Sequence, residues 1–116
     1  MARAYRYEQE MQERRFVAGT RILQAEEFRK IIRELQERRK LQGDLPVAVL
    51  KVDMTGLDYE SLDNRLGRMI RNEDFIGVGG DGVYIILPDA DKAVTAMVQE
   101  RLANADIMTN VCEAVG

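Results

Sequence analysis

The chain has no histidine and a single cysteine, Cys112, and these two scarcities bound its chemistry. A lone thiol forms no internal disulfide, and without histidine neither a structural zinc site nor a cysteine-histidine nucleophile is expected. Acid or base work near neutral pH would fall to carboxylates, lysine, tyrosine or the thiol. No run approaches the roughly 18 consecutive apolar residues of a membrane span, and the charged N-terminus does not resemble a secretory signal. These absences lead us to expect a reducing, cytoplasmic setting, no direct membrane insertion and no cofactor. With 17 basic and 20 acidic residues the net charge is −3, which gives no general attraction to nucleic acid. Basic and aromatic residues interleave only at Tyr5-Arg6-Tyr7, too little for a single-strand binder.

What is present, 116 residues, is enough for one domain with a modest core. From about Arg3 to Arg15 the chain is dense in Glu, Gln and Arg, with Ala4, Met11 and Ala18 at heptad spacing. Residues 1–18 therefore read as a charged helix, either solvated or a short coiled-coil connector, ahead of a domain over 19–116. Phe28, Ile31, Ile32 and Leu35 recur at i, i+3, i+4 and i+7, between Glu26 and Glu27 in a first turn and Arg38, Arg39 and Lys40 in a last. Gly43 is placed to stop that helix.

Val47 to Val52 reads as a buried strand that turns polar at Asp53, at the strand edge where α/β-type sheets keep ligand groups. Tyr59, Leu62, Leu66, Met69 and Ile70 predict a helix ending near Arg71-Asn72. Asp89 is a suitable N-cap for another, with Ala90, Ala93, Val94, Met97 and Val98 on its inner face, and Ile107 to Val115 predicts a closing strand.

Between these lies Phe75 to Pro88, a glycine-rich turn held between two apolar runs. Gly77, Gly79 and Gly82 satisfy G-x-G-x-x-G, but that nucleotide fingerprint needs a helix next. Val83 to Leu87 has strand preference and ends in Pro88, so a β-hairpin is expected, with Gly80-Asp81-Gly82 supplying positive φ at its tip. The predicted class is α+β or α/β: a mixed sheet of about four strands with a central hairpin flanked by helices, plus the charged N-terminal helix.

The hairpin Gly79-Gly80-Asp81-Gly82-Val83, followed by Tyr84-Ile85-Ile86-Leu87-Pro88, resembles that of GGDEF domains, the family of diguanylate cyclases. Val49 to Met54 resembles the family's first core strand, whose leading aspartate binds magnesium. The helix begun by Phe28 and the stretch from Pro88 to Leu102 resemble its neighbours. The likeness spans about Thr20 to Val115 and implies a shortened GGDEF-like fold. Active cyclases carry a metal-holding glutamate where this chain has Gly82. They also place two helices where Met54 to Asp74 leaves room for one. The resemblance thus implies an inactive homologue, not an enzyme, with Asp53 and Asp81 as vestiges of a metal site.

Many GGDEF domains grip cyclic di-GMP with an R-x-x-D motif, which Arg71-Asn72-Glu73-Asp74 matches, one residue nearer the hairpin than is usual. Arg71 offers a planar fork to phosphate or guanine, Asp74 an acceptor to guanine N–H groups, and Arg68 is spaced to reach the same ligand face. The same residues also read as an exposed ion pair at a helix end. Loss of the glutamate with R-x-x-D retained resembles PelD-like receptors, and implies a cyclic di-GMP receptor regulating exopolysaccharide production. The alternative expectation is a ligand-free module that binds a protein partner or forms a homodimer through the N-terminal helix.

Overall fold

The computed structural model describes residues 15–17, 20–42, 47–67, 69 and 74–112. Most of the expected N-terminal helix, the Gly43 stop, and Arg68 and Arg71 lie outside the described residues. The elements are α1 (Ala25–Gln42), β1 (Val47–Val52), α2 (Tyr59–Leu66), β2 (Phe75–Val78), β3 (Val83–Pro88), α3 (Lys92–Asn104) and β4 (Thr109–Cys112). They form an α+β fold with one four-stranded sheet in the order β2-β3-β1-β4.

Every neighbouring pair in this sheet is antiparallel, which corrects the expectation of mixed pairing. The reason is that both helical crossovers skip a strand. α2 carries the chain from β1 to β2, and β3 fills the gap; α3 carries it from β3 to β4, and β1 fills that gap. Strands joined through a helix run parallel but never touch, the double split-βαβ arrangement of ferredoxin-like sheets. The hairpin consequently supplies one edge strand, β2, and one inner strand, β3.

Strand alternation divides the core between two faces. Leu50, Val52, Val83, Ile85 and Leu87 pack with Leu62 and Leu66 of α2 and Leu102 of α3. Val49, Tyr84 and Ile86 pack on the other side with Phe28, Ile31, Ile32 and Leu35 of α1, the face read from the sequence. Coverage of both faces explains why β1 and β3 are nearly continuous apolar runs rather than alternating ones.

Two helix ends differ from expectation. α2 stops at Leu66 instead of continuing to Arg71, because Gly67 takes a positive φ of 39° and its N–H bonds back to the Asp63 carbonyl. α3 is capped by Asp91, whose side chain accepts from the Val94 N–H at 2.9 Å, and not by Asp89. Asp89 sits in the preceding turn with φ 58°, where the chain leaves the sheet after Pro88. The inner strip of α3 runs through Val94, Thr95, Val98 and Leu102, so Ala93 and Met97, expected inside, face outward.

Residues ahead of α1 belong to the folded unit. Phe16 and Val17 pack against the two cores, Ile22 and Leu23 are buried, and Gln24 N–H donates to the Arg15 carbonyl at 2.8 Å. Leu23 runs parallel beside β2, donating to the Ile76 carbonyl (2.8 Å) and accepting from Val78 (3.0 Å). Arg21 ties this segment to α2 through the Asp63 carboxylate and the Gly67 carbonyl, 2.7 Å from its guanidinium. Among the described residues no helix is long and apolar enough to cross a membrane.

Candidate functional site

The end of β1 and the tip of the hairpin lie together. Lys51 pairs with Tyr84 and Val52 with Val83, and the ladder to β4 continues one step further, with Asp53 N–H donating to the Met108 carbonyl at 2.8 Å. Asp53 and the hairpin tip carrying Asp81 are therefore at the same end of the sheet.

Each carboxylate is already engaged. Asp53 Oδ1 accepts from the Thr55 hydroxyl at 2.7 Å and from its N–H at 3.0 Å, and these two bonds, the hydroxyl first, hold its pKa below the ordinary value. Asp81 accepts from the Tyr84 hydroxyl and from Lys51 Nζ at 3.0 Å, and those bonds lower its pKa in that order. In return the hydrogen bond to Asp81 raises the pKa of both Lys51 and Tyr84, with burial adding to the rise at Tyr84. Lys51 Nζ also lies 5.9 Å from the centre of the Tyr84 ring.

The glycines of the tip make room for this cluster. None has a positive φ, contrary to the expectation for Gly80-Asp81-Gly82; among the described residues Gly56 and Gly67 are the glycines that do. The tip closes instead by a Gly79 N–H bond to the Gly82 carbonyl, 2.7 Å. A Cβ at Gly79 would fall 2.4 Å from Cε2 of Tyr84, and one at Gly82 would fall 3.3 Å from Cε of Lys51. The spacing that mimics a phosphate loop thus reflects contacts with an aromatic ring and a lysine stem.

The residues at this end do not fit a magnesium site. Gly82 offers no ligand, Asp53 is turned to Thr55, and Asp81 is neutralised by the Lys51 ammonium. Among the described residues no group of three or more His, Cys, Asp or Glu is arranged to hold a metal. Sequence reading singled out the two aspartates and missed Lys51 and Tyr84. The available signal was positional: Tyr84 follows Asp81 across a tight turn, and Lys51 is the polar residue within an apolar strand.

Asp74, half-buried, immediately precedes β2. It therefore sits at the opposite end of β2 from Asp81, separated by roughly 13 Å of strand at the usual rise per residue. Asp74 and the hairpin tip are close in sequence and distinct in space. Arg68 and Arg71 lie outside the described residues. No family model matches the chain, and no curated protein matches it.

Proposed function

We propose that this is a catalytically inactive GGDEF-like domain that acts as a cyclic di-GMP receptor through Arg71 and Asp74, with Arg68 as a third ligand-binding residue, and regulates exopolysaccharide production. The observation that carries this reading is the position of Asp74 at the start of β2, away from the hairpin tip, so that a ligand there needs nothing from the degenerate end. Gly82 and the Lys51–Asp81 ion pair support the absence of cyclase activity, because phosphoryl transfer needs positioned metal ions, Gly82 has no side chain to hold one, and the Asp81 carboxylate is engaged by Lys51. Calorimetric titration of the full chain with cyclic di-GMP tests the proposal. Binding should weaken at least about tenfold in Arg71→Ala and in Asp74→Ala, the loss of a charge-assisted contact. No heat at high micromolar ligand, or affinity indifferent to Arg71→Ala, rejects it.

A second reading is favoured by the internal closure of the tip, where Lys51 and Tyr84 occupy Asp81. On that reading the nucleotide site is vestigial and the domain associates with a protein partner or a second copy through its N-terminal helix. Deleting residues 1–14, which leaves Phe16 and Val17 in place, should then abolish self-association measured by light scattering; an unchanged mass rejects it.

A further inference from the structure

The two edges of the sheet are finished differently. Beside β2 the chain lays its own Leu23, hydrogen-bonded to Ile76 and Val78. Beside β4 nothing pairs among the described residues; the strand is last in the order and bonds to β1 alone. Exposed edges are commonly blunted by charge, proline or a bulge. β4 has none of these: Thr109, Asn110, Val111 and Cys112 are uncharged and hold an unbroken register against β1.

Among the described residues the face beside this edge is also unroofed. Val111 pairs with the fully buried Leu50 and so points to the side that α2 and α3 cover, yet it is 59% exposed. A groove of about 520 Å³ separates Thr95, Ala96 and Gln99 of α3 from Ala48 and Val111 on the strands.

We propose that β4 is the seat of a two-fold dimer, in which β4 of a second copy pairs antiparallel with it, centred on Val111, and makes one continuous sheet of two four-stranded halves. A second copy fits because a two-fold contact satisfies both identical edges and covers both grooves in one step. Residues opposed across an antiparallel pair must share a face, so the axis falls on a residue and not between two. Centred on Val111, it sets the two valines against each other beside the grooves and places Asn110 opposite Cys112 on the other face. Charge permits this pairing: the strand is neutral, so no like charges meet at the seam, whereas a charged edge would repel its own copy.

Sedimentation of the full chain from about 5 to about 200 µM should show a dimer whose dissociation constant rises at least tenfold in Val111→Lys, which sets two ammonium groups face to face. Leu41→Lys, at an 85% exposed position on α1, should leave the mass unchanged. In a Cys112→Ser background, Val111→Cys should form a covalent dimer when diamide takes up the two thiol hydrogens, because directly opposed strand residues lie within disulfide reach. Asn110→Cys, diagonal to its own copy, should not. This cysteine pair keeps the test open if Val111→Lys fails to fold. A monomer throughout the range, a dimer indifferent to Val111→Lys, or cross-linking at Asn110→Cys and not at Val111→Cys each overturns the proposal. The second of these outcomes assigns association to another surface, such as the N-terminal helix.

Discussion

The ring of Phe28 fills the space that a side chain at Gly77 would need: a Cβ there would lie 2.1 Å from its Cγ and Cδ1. Phe28 is 1% exposed and anchors α1 to the sheet, so neither partner has room to yield. Gly77→Ala should therefore destabilise the protein by about 1–3 kcal/mol or more, the cost of overpacking a core. Gly80, at the hairpin tip, faces open space and has no positive φ. Gly80→Ala should be neutral or stabilising by up to about 1 kcal/mol, through a less flexible unfolded chain. Urea titration of both variants decides the matter; equal losses would show that the Phe28 contact is not what Gly77 provides.

The cluster of Lys51, Asp81 and Tyr84 should contribute stability only between acid and alkaline limits. Asp81 has a lowered pKa in the fold, so its contribution is present above the unfolded value of about 3.9 and is lost as pH falls through the folded value. Tyr84 and Lys51 have raised values, so theirs are complete below about pH 10 and are lost as pH rises through the folded values. In a spectrophotometric titration Tyr84 should ionise at a lower pH in Asp81→Asn than in the unaltered chain. A curve unaltered by Asp81→Asn would contradict the hydrogen bond.

The start of α3 separates two neighbouring aspartates by role. Asp91→Ala removes the acceptor for the Val94 N–H and should cost about 1 kcal/mol. Asp89 takes φ 58°, so Asp89→Gly should be neutral or slightly stabilising. Thermal melts of the two variants check the assignment, and a larger loss at Asp89→Gly would return the cap to that position.

Truncation should locate the true beginning of the folded unit. Removing residues 1–14 keeps Phe16, Val17, Ile22 and Leu23 and the contacts described for them. Removing residues 1–24 exposes the edge of β2 and takes away two buried side chains, Ile22 at 0% and Leu23 at 5% exposure. Burial of two such residues is worth about 3–6 kcal/mol, so the longer deletion should lower the melting temperature sharply or abolish folding. Equal stability of both truncations would remove the edge-covering role from Leu23.

Features set by neighbours along the chain were legible beforehand. The hairpin follows from glycines between β-branched runs, and the inner face of α1 from the spacing of Phe28, Ile31, Ile32 and Leu35, because both depend on periods of two and 3.6 residues. Asp53 at the end of β1 was legible for the same reason. The site was less so. Asp74 and Asp81 read as one short stretch, yet β2 holds them at opposite ends, and the partner of Asp81 is Lys51, thirty residues away along the chain.

The amino-acid order by itself determined an α+β domain with a glycine-rich hairpin, and a chain with no histidine and one cysteine, too few for an internal disulfide. Only the tertiary structure decided that the crossovers skip strands and leave every pair antiparallel, that the glycines serve Phe28, Tyr84 and Lys51, and that among the described residues one sheet edge is covered while the other is open. The physical reason is range. Local preferences select elements from residues a few positions apart, whereas strand order and side-chain partners are settled by which distant surfaces bury each other, and no short window of sequence contains both.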